Sequence, residues 1–314
     1  MKPIVTLTVN PSIDASSQAD EVRPVRKIRT FGDRWDPGGG GINVARVVGE
    51  LGGESLAVYL AGGLPGQALN QMIDRIDLPR STVSIKGTTR ISHTVFDRSS
   101  RQEYRFVPEG PEIAQAELQA CLELLERLDA DYLVVSGSLP SSAPATFYAE
   151  VARLASKRAM RMVLDTSGDP LRAAAAEGVY LIKPNLRELS MLAGRALPTR
   201  KEQQAAARDL IARRGAKLVA VSLGAKGAFI VDDRTCHTLA APDIEPKSAV
   251  GAGDSFVAAL TLALAQERSI EDALTLAVAA GSAAVMTMGT ELCRRDDIER
   301  LYRQLAAGAG SAAD

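Results

Sequence analysis

The chain has 314 residues, of which 46% are apolar, 24% charged and 4% aromatic. Its 37 Lys and Arg against 38 Asp and Glu leave a net charge of −1. These figures exclude a disordered or collagen-like chain and a basic nucleic-acid binder, and they suit one large domain or two.

Ile4 to Val9 reads as a buried strand closed by the turn signal Asn10-Pro11-Ser12. Residues 22–35 are mixed and basic, with Lys27 and Arg29. After Gly38-Gly39-Gly40-Gly41, the residues Val44, Val47, Val48 and Leu51 give one apolar helix face, ended by Gly52-Gly53. Ser55 to Ala61 is a further strand. Thr89–Phe96 and Glu103–Val107 read as two strands around a polar turn, a hairpin pattern. With part of 15–35 they predict a small β layer, bounded at about 15–35 and 82–107, on a larger α/β body.

From about residue 114 strands and helices alternate. Helices are expected at a stripe of Leu118, Cys121, Leu122 and Leu125, and at 144–157, 186–193 and 202–214. Strands are expected at Tyr132–Ser136, Met162–Asp165, Leu181–Lys183 and Lys217–Ser222, then a hairpin over 228–239. Three helices follow near 253–267, 270–287 and 295–305, and the Gly/Ala-rich tail after Leu305 is expected to fray. The pattern predicts a parallel sheet with helices on both faces.

No apolar run reaches the about 18 residues of a membrane helix; the best candidate, Ala273 to Met286, is broken by Gly281 and Ser282. Met1-Lys2-Pro3 leads into a strand without a signal-like apolar region, and Cys121, Cys236 and Cys293 form no CxxC pair. A cytoplasmic setting, with no membrane and no nucleic-acid partner, is the expectation. The two histidines, His93 and His237, sit in strand-like segments away from any nucleophile motif. Chemistry is therefore expected from Asp, Glu, Lys, Arg and backbone.

Two glycine loops open helices: GGGGIN at 38–43 and VGAGDS at 250–255. Neither has the GK[ST] of a Walker loop or the third glycine of a dinucleotide fingerprint. Each suits an anion at a helix N-terminus, and each also suits a tight strand-to-helix turn. Asp254 fits a helix cap or a base that takes the proton of an attacking hydroxyl. Asn185 and Glu188, spaced i, i+3, fit a cap or a Mg²⁺ site. Lys27, Arg29, Arg90 and Arg105 fit a solvated face or a phosphate clamp.

Taken together, NPSID (10–14), GGGGINVAR (38–46), SGSLP (136–140), DTSG (165–168), KPNLRELS (183–190), SLGAKGA (222–228), VGAGDSFVAAL (250–260) and AAGSAA (279–284) resemble the ribokinase-like PfkB carbohydrate kinases nearly end to end. Within that family the chain looks most like the minor bacterial 6-phosphofructokinases. Its glycine loop lacks the lysine usual in 1-phosphofructokinases and tagatose-6-phosphate kinases, and EYRFV and GTELC are similar to that subgroup.

The resemblance implies a three-layer α/β/α ribokinase-like fold with a β-sheet lid, forming a single kinase domain over 1–314 and a homodimer through the lid. It implies ATP-dependent phosphorylation of fructose 6-phosphate, or a related sugar phosphate, with Mg²⁺ and a monovalent cation such as K⁺. Asp254 would be the base, and the backbone of Gly251, Ala252 and Gly253 the anion hole. Asp14, Lys27, Arg29, Gly39, Gly40, Asn43, Arg90, Arg105 and Ser138 would meet the sugar phosphate. Lys183, Asn185, Ser222, Gly224 and Gly227 would border ATP, and Glu188 would organise Mg²⁺. Carbonyls near Ser248, Val250, Ala284, Thr287 and Gly289 would hold the monovalent cation. Competing readings are a 1-phosphofructokinase, a tagatose-6-phosphate kinase and a catalytically silent sugar-phosphate sensor. Two departures from the family pattern are Ser141-Ser142 after SGSLP, where Pro-Gly is common, and Glu291, where a basic residue is common.

Overall fold

The computed structural model describes residues 2–310. The chain opens with β1 (Ile4–Thr8), β2 (Ser12–Ala19) and β3 (Phe31–Gly38), then α1 (Gly40–Glu50). Next come β4 (Ser55–Ala61), α2 (Gly63–Asp74), β5 (Arg80–Ser84), β6 (Arg90–Asp97) and β7 (Gln102–Phe106). Alternation follows through α3 (Gln115–Arg127), β8 (Tyr132–Ser136), α4 (Phe147–Lys157), β9 (Arg161–Asp165), α5 (Gly168–Glu177), β10 (Val179–Ile182), α6 (Leu186–Ala193), α7 (Arg200–Ala212) and β11 (Ala216–Ser222). The hairpin β12 (Ala228–Val231) and β13 (Cys236–Leu239) precedes α8 (Ala252–Ala265), α9 (Ile270–Val285) and α10 (Arg295–Gly310).

Nine strands form one sheet in the order β13-β12-β11-β10-β9-β8-β1-β4-β5. It is parallel from β5 to β11, and β12 and β13 add an antiparallel edge. All five residues of β1 are buried, because helices cover both faces. Successive side chains point to opposite layers. Val5, Leu7, Leu133 and Val135 pack with Phe147 and Tyr148 of α4. Ile4, Tyr132 and Val134 pack with Val44, Val47 and Val48 of α1 and with the apolar helices α8 and α9.

The four-stranded second sheet has the order β3-β2-β6-β7. β2 runs parallel to β6, with Ser12 opposite Arg90. Its lower boundary differs from the expected 82: Arg80–Ser84 pairs with β4 at the edge of the large sheet. The small sheet gains instead all of β2 from Ser12 and β3 as far as Gly38.

Two helices, α2 and α5, were not expected. Each begins with glycine and carries Pro at its third position, a composition that reads as a turn, although proline is tolerated in a first turn. Tertiary packing of Leu69 and Ile73, and of Leu171 and Ala174, holds them. α10 continues past Leu305 to Gly310, where fraying was expected; residues 311–314 of that tail lie outside the described residues. No described helix is long and apolar enough to cross a membrane.

Candidate active site

The cleft lies where β1, β8 and β9 end against the second sheet. Two helix N-termini open onto it, α1 with Gly39 as N-cap and α8 with Gly251, and neither is capped by a side chain. In α1 the Ile42 N–H donates to Thr8 Oγ1 at 3.0 Å, which leaves the amides of Gly40 and Gly41, and those of Ala252 and Gly253 in α8, to meet an anion. The glycines of the first loop answer a demand for space. Gly39 has φ 111°, and a Cβ there would sit 2.7 Å from Thr8 Cγ2; one on Gly40 would sit 2.3 Å from Ser136 Oγ. Both demands hold: the loop is a tight turn, and the turn exposes amides.

Asp254 occupies the first turn of α8. Its Oδ2 accepts from Asn43 Nδ2 at 2.9 Å, and Ser136 Oγ stands 3.5 Å from Oδ1. Burial, then the charge of Asp165, pushes its carboxyl up to about 6, against the Asn43 hydrogen bond and Lys183. A carboxylate in that range can take a proton near neutral pH.

The opposite wall comes from the second sheet. Asp14 on β2 accepts from Ser12 Oγ at 2.5 Å, and burial raises its pKa. Arg90 on β6 donates from Nη1 to the Pro108 carbonyl at 2.8 Å and from Nη2 to the Asn10 carbonyl at 2.9 Å. Its buried Nε finds no partner among the described residues. A guanidinium has five N–H groups, so two backbone bonds fix Arg90 and leave donors to spare. Arg105 on β7 completes this wall from a more exposed position. A cavity of about 160 Å³ brings together Asp14, Gly39, Gly40, Asn43, Arg90, Arg105, Val250, Gly251 and Asp254, with Ser12, Ser92, Thr94, Val107 and Thr290. Larger hollows of about 590 and 740 Å³ lie beside the end of α1 and beneath β9–β11, without such converging helix ends.

Beyond Asp254 the cleft continues over the ends of β9, β10 and β11. Lys183 is 6% exposed, and its Nζ stands 3.0 Å from Asp165 Oδ1. Burial opposes its charge, but Asp165, joined by Glu188 and Asp254, outweighs burial and raises its pKa. Asn185 and Glu188 form a reciprocal capping box: Asn185 N–H donates to Glu188 Oε2 at 2.8 Å, and Glu188 N–H donates to Asn185 Oδ1 at 2.9 Å. The cap is thus real, and it leaves Glu188 Oε1 outside the box. Burial raises the Glu188 pKa. Ser222 N–H donates to the Pro184 carbonyl at 3.2 Å, bringing the loop of Gly224 and Gly227 beside Lys183 and Asn185.

Among the described residues no cluster of three or more His, Cys, Asp or Glu side chains forms a metal cage. Mg²⁺ is a hard ion that keeps waters and substrate phosphates as ligands, so one or two carboxylates suffice for it. At the other end of α9, Ser248 Oγ donates to the Gly289 carbonyl at 3.3 Å, and Thr287 Oγ donates to the Ala284 carbonyl at 2.7 Å. The segments carrying Ser248, Val250, Ala284, Thr287 and Gly289 therefore meet, all with oxygen donors.

Three expected contacts are placed elsewhere. Lys27 and Arg29 lie exposed in the connection between β2 and β3, outside the cleft lining. The reason is local: residues 20–30 form no strand, and Val25 turns the chain outward with φ 65°. Ser138 is exposed in the loop after β8, whereas Ser136, at the strand end, faces Asp254. Asp165, Ser136, Asp36, Arg46 and Thr290 were not singled out from the sequence. A charged residue at a strand end followed by Thr-Ser-Gly was the available signal for Asp165. The two departures have structural uses. Ser142 Oγ accepts from Ile113 N–H at 3.0 Å. Glu291 pairs with Arg294 at 2.6 Å and with Arg34 at 3.5 Å.

Residues 7–297 match the family model described as pfkB family carbohydrate kinase. The chain is 42% identical over 306 residues to ATP-dependent 6-phosphofructokinase isozyme 2 of Mycobacterium tuberculosis, covering 97% of this chain and 90% of that one. It superimposes with TM-score 0.93 and 37% identity on phosphofructokinase-2 from Escherichia coli in complex with fructose-6-phosphate, covering 98% of this chain and all of that one (100%). The same enzyme in complex with potassium gives TM-score 0.94 and 38% identity, with 98% and 100% covered.

Proposed function

We propose, for a chain that belongs to the pfkB family of carbohydrate kinases, that ATP phosphorylates fructose 6-phosphate at its 1-hydroxyl in this cleft, giving fructose 1,6-bisphosphate. The carrying observation is the placement of Asp254. It stands between two helix N-termini that begin at glycine, held by Asn43, and faces a wall that carries Arg90 and Arg105.

In this reading Arg90 and Arg105 hold the 6-phosphate, the end of the sugar that does not react. Asp14, Asn43 and the amides of Gly39 and Gly40 orient the hydroxyls. Asp254 accepts the proton of the 1-hydroxyl as its oxygen attacks the γ-phosphorus in line with the leaving ADP. The amides of Gly251, Ala252 and Gly253, at the positive end of α8, face the charge that develops on the transferred group. ATP lies over the ends of β10 and β11, bordered by Lys183, Asn185, Ser222, Gly224 and Gly227. Glu188, whose Oε1 lies outside the capping box, would hold Mg²⁺ or its waters, and Mg²⁺ when bound would neutralise phosphate charge. The oxygen-rich junction of Ser248, Val250, Ala284, Thr287 and Gly289 suits a monovalent cation, and the potassium complex of the Escherichia coli enzyme supports that reading.

The second sheet has a further role in this reading, as a lid and a dimer contact. Ile28, Phe31, Trp35, Tyr104, Phe106 and Val107 are large apolar residues left exposed on this sheet and its connections. Such a patch favours a second copy of the chain. Purified protein with Mg-ATP and a panel of fructose 6-phosphate, fructose 1-phosphate and tagatose 6-phosphate, read by ADP release, tests the function. Fructose 6-phosphate is expected to give the highest kcat/KM. A preference for another sugar phosphate would reassign the substrate, and ADP release by none would point to a silent sensor.

A further inference from the structure

Behind the cleft wall, Asn43 and Arg46 lie three residues apart on α1 and share a helix face. Arg46 Nη1 donates to the Pro37 carbonyl at 3.0 Å and reaches Asn43 Oδ1 at 3.5 Å. Its Nη2 stands 3.4 Å from Asp36 Oδ1. Asp36, on β3, is 6% exposed and is itself anchored: Arg34 Nε donates to it at 2.6 Å, and Thr290 Oγ at 2.6 Å. On its far side the Asn43 amide donates to Asp254.

A carboxamide has one donating and one accepting end. With a guanidinium on one side and a carboxylate on the other, only one orientation of Asn43 satisfies both neighbours. Turning the amide over would set its N–H₂ against the Arg46 cation and its oxygen against the Asp254 oxygen. We propose that Arg46, held by Asp36, is a positioning residue for phosphoryl transfer, fixing the Asn43 amide in the orientation that aims the Asp254 carboxylate. The inference rests on Asp254 being the base. Burial works against the guanidinium charge of Arg46, and Asp36 opposes that loss. The other charged groups facing Asp254 are Asp165 at the end of β9, Lys183 after β10 and Asp14 on β2, whereas the hydrogen-bond partners of Arg46 are Pro37, Asn43 and Asp36.

Arg46→Met keeps the apolar stem of the side chain, and Asp36 keeps Arg34 and Thr290, so the variant is expected to fold. The test is a double-mutant cycle with Asn43→Ala, reading kcat, KM and melting temperature. Arg46→Met is expected to lower kcat about tenfold in the wild type, the scale of one lost hydrogen bond, and by less than about twofold when Asn43 is already Ala. KM for ATP and the change in melting temperature are expected to be the same in both backgrounds. In the wild-type background the acid limb of the kcat/KM profile moves to higher pH, because Asp254 loses a bond that favours its charged form. Equal losses of kcat in both backgrounds, or no loss in either, would overturn the positioning role. Should Arg46→Met not fold, Arg46→Gln and Arg46→Lys are read by the same criterion. Asp254→Ala, measured alongside, separates the two claims: near-normal turnover there removes the base and this inference with it, whereas a large loss beside equal Arg46 effects removes the inference alone.

Discussion

The two sheets bury their residues differently. Every residue of β1 and β8 is buried between helix layers, while four of the five residues of β7 face solvent. The large sheet therefore presents its strand ends and helix N-termini as a stiff floor, and Asp254, Asn43 and Lys183 are fixed on that floor. The small sheet has one face toward the cleft and one open, and it carries Asp14, Arg90 and Arg105. The difference assigns chemistry to the floor and grip on the substrate to the wall.

The largest effect tests the floor. Asp254→Ala is expected to lower kcat by roughly 10²–10⁴-fold, the usual scale of acid–base assistance, while the helix amides still bind both substrates. Steady-state ADP release checks this. Acting on the wall should look different. Arg90→Ala is expected to raise KM for fructose 6-phosphate by on the order of 10–100-fold and to move KM for ATP little, since charge-assisted bonds to a remote phosphate are lost. Initial rates with each substrate varied in turn would show whether the damage is confined to the sugar.

Glu188→Gln lies on the floor but acts through the metal. The variant is expected to need on the order of tenfold more Mg²⁺ for half-maximal rate, with the capping box and the fold kept. An unchanged Mg²⁺ titration would leave Glu188 as a cap alone.

The raised carboxyl of Asp254 predicts a pH dependence with a definite sign. Turnover falls on acidification through about pH 6, as the base becomes protonated. Stability runs the other way. The folded chain holds this proton more tightly than the unfolded chain, so stability is lost as pH rises from the ordinary carboxylate range to about 6. Asp254→Asn is therefore expected to melt higher than the wild type at pH 8 and to converge with it near pH 4, a trade of stability for function. Thermal melts at the two pH values decide this. The smallest effect belongs to the open face of the wall: Trp35→Glu is expected to weaken self-association, read by sedimentation across a concentration series, with the large sheet unperturbed.

The floor was far more legible in the sequence than the wall. Strands buried on both faces are continuous apolar runs, and α1, α6 and the helices after residue 252 carry clear stripes or caps. GGGGIN and VGAGD announce their helix ends through glycines, which in the first loop the close approach to Thr8 and Ser136 requires. The wall offers less. β2 and β3 are largely polar and their ladder is bulged between Ser16 and Gln18, and the pairing of β2 with β6 depends on contacts far along the chain. Arg90 and Arg105 reach the cleft as expected, but Lys27 and Arg29, of the same charge and assigned to the same β layer, do not line it. Charge alone could not tell a strand residue facing inward from a loop residue facing out. Asp36 and Arg46 stayed hidden for a related reason: their roles come from a meeting of β3, α1 and the loop at Thr290, which no local spacing encodes.

Equilibrium binding of fructose 6-phosphate to Asp254→Ala and Arg90→Ala, by calorimetry without ATP, tests the division between floor and wall most directly. The account predicts that Asp254→Ala binds the sugar phosphate close to wild-type affinity and that Arg90→Ala binds it at least about tenfold more weakly. Loss of binding in Asp254→Ala with normal binding in Arg90→Ala would contradict it.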